Sequence, residues 1–330
     1  MSITGPRAKY RAGVDMRRTG GLICGFCIGA GVAVQGRING ALGVRLHDGI
    51  AAATISFGVG LVILCSVFVF DARVRRGMGG VRRALACAEL RPWHLLGGLC
   101  GALFVACQGL TIAAVGVTAF TVAAVAGQLS SSLVVDRLGL APSGRTPVTA
   151  ARMGGAALAT GAVLMAGLGR SQAGGAASAL PESLRALPPW LLIVAPALAG
   201  IGLAWQQAVN GRVGAAGGPL AAALVNFGVG VVALVALEAA LWAVSDRHLV
   251  LPTQPWLYLG GVIGVGFIAL AALTVRWIGV LLLALTSVAG QLSAALVLDV
   301  AAPTDAGISV TTAAGCALTL VAVALASCRR

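Results

Sequence analysis

Apolar residues in this chain come in long runs, broken by short polar links. The runs cover approximately 20–42, 49–70, 94–115, 118–135, 149–169, 190–210, 219–244, 256–275, 279–298 and 308–327. Each is long enough to cross the roughly 30 Å hydrocarbon core of a bilayer as a helix. Inside lipid only a helix or a closed barrel satisfies its own backbone. The two-residue alternation of barrel strands is missing here, so the pattern predicts an all-α polytopic membrane protein with ten transmembrane helices. Two links are very short: Gly116-Val117 and the stretch from Arg276 to Gly279. Gly116 and Gly279 supply the expected breaks.

Composition agrees. Of the 330 residues 58% are hydrophobic and only 10% charged, with a mean hydropathy of +0.96. Polar groups this scarce cannot cover the surface of an ordinary soluble domain. The net charge of +13 suggests nucleic acid only until its placement is read. Lys9 is the sole lysine, and the 22 arginines lie mostly between apolar runs. On one side fall Arg7, Lys9, Arg11, Arg17, Arg18, the group from Arg73 to Arg91, Arg137, Arg145, Arg152, Arg212, Arg276, Arg329 and Arg330, 18 basic residues in all. The opposite side holds five: Arg37, Arg45, Arg170, Arg185 and Arg247. Cytoplasmic loops carry the excess of positive charge, so both termini are expected in the cytoplasm and no nucleic-acid partner is implied. The first run, with its basic tail, is too long for a signal-peptide core and lacks a clear cleavage site.

The chain also repeats itself. Pro92-Trp93, Leu96-Gly97-Gly98, Gly101 and Phe104 recur 163 residues later as Pro255-Trp256, Leu259-Gly260-Gly261, Gly264 and Phe267. Val125-Ala126-Gly127-Gln128-Leu129-Ser130 recurs as Val288-Ala289-Gly290-Gln291-Leu292-Ser293, and Asp136 recurs as Asp299. Gln35 with Asn39-Gly40 matches Gln206 with Asn210-Gly211, and the Phe-Gly-Val-Gly run at 57–60 matches that at 227–230. Each half holds five runs. An odd number sends the second half into the membrane from the opposite face, which gives two inverted five-helix repeats of the kind found in secondary transporters. The expected organisation is a cytoplasmic basic tail (1–19), a first repeat (20–170), an external linker (171–189) and a second repeat (190–330).

Polar residues within the runs mark the candidate site. Gln35 and Asn39 are four apart and share a helix face, and Gln206 and Asn210 repeat the arrangement. Gln128 and Gln291 lie near the middle of the fourth and ninth runs, and Ser56 and Asn226 occupy matched positions. Unpaired amides are costly in hydrocarbon, so they should face the bundle interior or a wet cavity. They then line a substrate site or hydrogen-bond across helices. Trp205, beside Gln206, is a candidate cavity floor, whereas Trp93 and Trp256 read as interfacial anchors. Asp136 and Asp299 read as helix-end residues with a gating role as the sharper alternative. Glu238 is the one acid clearly inside a run, near its outer end. Gly21-x-x-x-Gly25-x-x-x-Gly29 and its relatives specify close helix packing. Cys24-x-x-Cys27 has no βαβ context and reads as small apolar residues. His47, His94 and His248 are scattered at run ends, and no phosphate loop, zinc motif or Ser/His/Asp set is present. No enzyme, cofactor or metal site is expected.

The repeated unit resembles the YdcZ-type proteins of the drug/metabolite transporter superfamily, also called transporter family-2 proteins. The resemblance rests on Gln-x-x-x-Asn-Gly, Phe-Gly-Val-Gly, Pro-Trp-x-x-Leu-Gly-Gly-x-x-Gly and above all Val-Ala-Gly-Gln-Leu-Ser with its downstream aspartate. It covers roughly 20–169 and 190–327 as two fused copies. It implies a bacterial cytoplasmic-membrane location and a ten-helix transporter fold, and it supplies no substrate. The reading is a secondary transporter for a small solute working by alternating access, with Gln35, Asn39, Gln128, Trp205, Gln206, Asn210 and Gln291 at the cavity. The absence of paired buried carboxylates favours neutral, zwitterionic or lipid-like cargo. The alternatives are a lipid-carrier flippase and a non-transporting membrane scaffold, and oligomeric state is not fixed by these features.

Overall fold

The computed structural model describes residues 6–140, 142, 144–145, 149–150, 153–154, 157–158, 160–161, 190–243, 249–302 and 310–327. Most of the fifth apolar run, the 171–189 linker, Arg152, Arg170, Arg185, Arg247, His248, Arg329 and Arg330 lie outside the described residues. The elements are α1 (Pro6–Leu46), α2 (Gly49–Phe70), α3 (Ala72–Ala86), α4 (Gly97–Leu138), α5 (Leu191–Gly217), α6 (Pro219–Trp242), α7 (Leu259–Ala301) and α8 (Val310–Ser327). Short 3-10 turns at Pro92–Leu96 and Pro255–Tyr258 lead into α4 and α7. Among the described residues there is no strand. Arg18–Leu46, Gly49–Phe70, Pro92–Leu138 and Pro219–Trp242 are long and apolar enough to cross a membrane, and Pro255–Ala271 and Leu285–Ala301 are shorter apolar helices.

Helix ends follow from local chemistry. Asp48 caps α2 by accepting from the Ile50 and Ala51 nitrogens at 2.9 and 3.0 Å. Such a cap satisfies amides that have no partner within the helix. Gly218, at φ 82°, separates α5 from α6, and Pro219 starts the new helix where its missing N–H costs nothing. The arginine-rich link between the second and third apolar runs is helical. It forms α3, an amphipathic surface helix that buries Val74, Val81 and Ala84 and exposes Arg73, Arg75, Arg76, Arg82 and Arg83.

Both long helical stretches, α4 and α7, double back on themselves. Along α1, Asn39 lies against Gly260, Gln35 against Gly264 and Gly21 against Ile278, so residues 260 to 278 run down α1. The chain then climbs again. Gly25 meets Leu283 and Thr286, Gly29 meets Ser287 and Gln291, and the Arg37 guanidinium donates to the Ala302 carbonyl at 2.7 Å. α4 does the same along α5. Asn210 lies at Gly97, Gln206 at Gly101 and Ala195 at Cys107, and on the return Ala197 lies at Gly127 and Arg212 at Leu140. The reversal in α4 occurs at Gly116, where φ 77° and ψ 160° leave the helical region. A side chain disfavours that φ, and glycine does not.

The part of α4 on either side of Gly116 is the most deeply packed of the spanning stretches. In the apolar window of Pro92–Leu138 89% of the residues are buried, against 28% for α2. Phe104 and Phe120, from its two arms, meet edge-on at 5.4 Å. α2 and α6 turn apolar side chains outward instead, with Val62 67% and Val232 70% exposed. An apolar outer face is what a lipid-facing helix requires.

The repeated sequence elements make matched, exchanged contacts. Gly98 backs onto Asn226, Val229 and Gly230, and Gly261 backs onto Ser56, Val59 and Gly60. A Cβ on Gly98 would lie 2.8 Å from the Gly230 nitrogen, and one on Gly261 2.8 Å from that of Gly60. Backbone therefore sits directly on backbone at both places. Phe57 fills the space above Gly230, Phe227 fills that above Gly60, and the two rings meet with centroids 4.8 Å apart.

Candidate functional site

Two buried amide clusters flank the Phe57–Phe227 pair. The first is built on α1, α2 and the first arms of α4 and α7. Gln35 donates from Nε2 to the Gly260 carbonyl at 3.0 Å, and Asn39 donates from Nδ2 to Gln108 Oε1 at 2.7 Å. Asn39 Oδ1 and Ser56 Oγ both face Gly260 and have no hydrogen-bond partner among the described residues. The second cluster is built on α5, α6 and the first arm of α4. Gln206 Nε2 and Asn210 Nδ2 both donate to Asn226 Oδ1, each at 2.9 Å. Gln206 Oε1 and Asn226 Nδ2 have no partner among the described residues. A Cβ on Gly101 would meet Gln206 Nε2 at 2.7 Å, the tip of Phe57 at 3.2 Å and Asn226 Nδ2 at 3.4 Å. Thus the aromatic ring of the first half reaches into the amide cluster of the second. Phe227 does the reverse, its tip 3.3 Å from a Cβ placed on Gly264, beside Gln35.

Helical spacing explains the convergence. Gln35 and Asn39 lie one turn apart on the face that α1 turns to Gly260 and Gly264, themselves one turn apart on α7. Glycine at those rungs leaves room for an amide where any side chain would collide. Arg37, between the two amides in sequence, falls on the far side of α1 and is spent on the Ala302 carbonyl. The layer is therefore uncharged: amides, one hydroxyl, glycines and phenylalanines.

Four of the expected site residues, Gln35, Asn39, Gln206 and Asn210, are brought into these clusters. Gln128 and Gln291 lie on the return arms, next to Gly127 and Gly290, which meet the backbone of α5 and α1. Among the described residues neither makes a hydrogen bond to the clusters. Trp205 stacks on Trp93 at 6.3 Å with rings 20° from parallel, and packs with Val135, Ala204 and Ala208. Sequence reasoning passed over Gln108, only 1% exposed. It has no partner in the repeat, because position 271 is alanine. A lone glutamine in an apolar run was its only signal.

The aspartates at the ends of the return arms behave differently from each other. Asp299 is 5% exposed and accepts from the Val117 nitrogen at 3.1 Å and the Thr118 nitrogen at 2.7 Å. It thus caps the helix that restarts after Gly116, in the other half of the chain. Asp136 is half-buried near the end of α4, where Arg212 donates to the Leu140 and Gly139 carbonyls at 2.6 and 2.9 Å. Arg212 thus holds the chain where it leaves α4, and a cation at a helix C-terminus complements its dipole.

The family model described as "Putative inner membrane exporter, YdcZ" matches residues 21–165 and, a second time, residues 191–325. The chain belongs to the YdcZ family. The expected resemblance is therefore met over both halves. No curated protein matches the chain. As a YdcZ family member with apolar helices of spanning length, it is a multi-pass inner-membrane protein and a membrane transporter. Among the described residues no group of three or more His, Cys, Asp or Glu is placed to hold a metal ion.

Proposed function

We propose that this YdcZ protein is a ten-span secondary transporter made of two inverted five-helix repeats, 20–170 and 190–330, with both termini and the basic tail 1–19 in the cytoplasm and the 171–189 linker outside. It moves a small solute by alternating access, and the family description favours export. The observation that carries this reading is the exchange of contacts between halves: each amide pair packs on the glycine rungs of the opposite half. Contacts duplicated in this way allow one closed end to open as the other closes at little net cost, because each lost contact has a counterpart. Gln35, Asn39, Gln206 and Asn210 form the solute layer. Gln128, Gln291 and Trp205 line the paths to it, and Asp136 and Asp299 gate its two ends.

Alanine at Gln35, Asn39, Gln128, Gln206, Asn210 and Gln291, singly and together, tests the site. Loss of transport with normal expression supports it, and transport surviving in every variant places the site elsewhere. Orientation is tested in a cysteine-free background with a membrane-impermeant maleimide. Arg45→Cys should label from outside in intact cells, and Arg82→Cys only after permeabilisation.

A further inference from the structure

We infer that the two amide clusters are the half-sites for one uncharged solute that carries hydroxyl or amide groups at both ends, and that Ser56, Gln108 and Asn226 determine its selection. This rests on the reading of the amide layer as the solute site. Four polar atoms there are unpartnered: Asn39 Oδ1, Ser56 Oγ, Gln206 Oε1 and Asn226 Nδ2. They belong to residues no more than 7% exposed. A buried polar atom without a partner is costly, and native structures keep few of them. Here four fall on the two sides of one aromatic pair. A ligand that supplies hydrogen-bond donors and acceptors at both of its ends satisfies all four at once.

The charge of that ligand follows from what surrounds it. Among the described residues the layer holds no carboxylate, and its nearest guanidinium in sequence, Arg37, is engaged at Ala302. A net charge bound here would be desolvated without a counter-ion. Carboxamides suit a neutral polyhydroxyl or amide compound, because each offers an oxygen on one side and an NH2 on the other.

The two ends are not equivalent. The repeat places alanine at 271 opposite Gln108, and asparagine at 226 opposite Ser56. In the first half Gln108 takes the Asn39 amide nitrogen, which leaves an acceptor, Asn39 Oδ1, beside the Ser56 hydroxyl. In the second half Asn226 gathers both neighbouring amides on its oxygen and leaves its NH2 as a donor beside Gln206 Oε1. The solute therefore presents an O–H or N–H donor to the first cluster and a carbonyl or hydroxyl oxygen to Asn226.

The test is a thermal-shift titration of the purified full chain. The probes are mannitol, myo-inositol and nicotinamide (uncharged), glutamate (anionic) and tetraphenylphosphonium (cationic). At least one uncharged probe should raise the midpoint saturably, and neither charged probe should. Saturation separates binding from general osmolyte stabilisation. Gln108→Ala and Asn226→Ser should each weaken the effective probe about tenfold, the loss of roughly one hydrogen bond. Gln108→Glu should create a response to the cation. Ser56→Asn, which installs the residue its counterpart carries, should reorder the uncharged probes, and it covers the case in which an alanine variant fails to fold. Saturation by a charged probe that Gln206→Ala abolishes overturns the uncharged class and leaves the site standing. A response equal in wild type and every variant overturns the site itself. No response to any uncharged probe overturns the inference.

Discussion

Replacing Asp299 with alanine tests how the two halves of this YdcZ protein are held together. The carboxylate accepts from two consecutive backbone nitrogens, Val117 at 3.1 Å and Thr118 at 2.7 Å, in the opposite half of the chain. Both residues are buried, at 1% and 0% exposure. Alanine leaves two donors without acceptors in a place water does not reach. At about 1–2 kcal/mol for each orphaned donor, the loss is about 2–4 kcal/mol. Asparagine keeps one acceptor and loses the charge, so Asp299→Asn should fall between, at about 1–2 kcal/mol. Asp48 provides the internal comparison. It makes the same pair of bonds, to Ile50 and Ala51, but within its own helix start. Asp48→Ala should cost only about 1 kcal/mol, as at an ordinary N-cap. The assay is thermal unfolding of the purified protein, with hydrogen exchange followed on the peptide that spans Val117 and Thr118. Stability should rank wild type, then Asp48→Ala and Asp299→Asn, then Asp299→Ala, and exchange at 117–118 should rise only in the Asp299 variants. If Asp299→Ala is no less stable than Asp48→Ala and exchange at 117–118 is unchanged, the cross-half cap is not holding that helix end and the argument fails.

Three further outcomes follow from the same geometry. Gly98→Val and Gly261→Val each push a side chain into the backbone of the opposite half, so either should destabilise by about 3 kcal/mol or more and broaden the size-exclusion profile; a wild-type midpoint in both would refute the backbone-on-backbone contact. Arg212→Ala removes two bonds to the Gly139 and Leu140 carbonyls just past the end of α4 and should lower the midpoint, with Arg212→Lys restoring part of the loss, because an ammonium lacks the guanidinium's fork. A double-mutant cycle on Phe57→Leu and Phe227→Leu should return a coupling of about 0.5–1.5 kcal/mol, as for an offset aromatic pair; additivity within error would mean the rings pack independently.

Much of this was legible from the residues alone, for definite reasons. Lipid forces long apolar runs and helical backbone, so the all-helical, membrane-spanning character needed only composition and run length. The duplication needed only self-comparison, and the helix face shared by Gln35 and Asn39 only the 3.6-residue period. The breaks at Gly116 and near Gly279 were visible as well, since short links in such runs must contain a residue that tolerates reversal. The α3 helix was missed because its arginines signalled a charged loop, while the period of Val74, Val81 and Ala84 was easily lost among them.

The sequence by itself determined that the chain is apolar, helical and made twice from one unit, because those properties are local or repeated and survive being read in one dimension. Only the tertiary structure decided which half each residue serves. Phe57 packs on the glycines of the other half, Asp299 caps a helix start 182 residues away, and Gln108 completes a cluster that periodicity never pointed to. Run lengths and spacings constrain neighbours along a helix. Partners across the bundle are fixed by where glycine lets two backbones approach, and that distance exists only once the chain has folded.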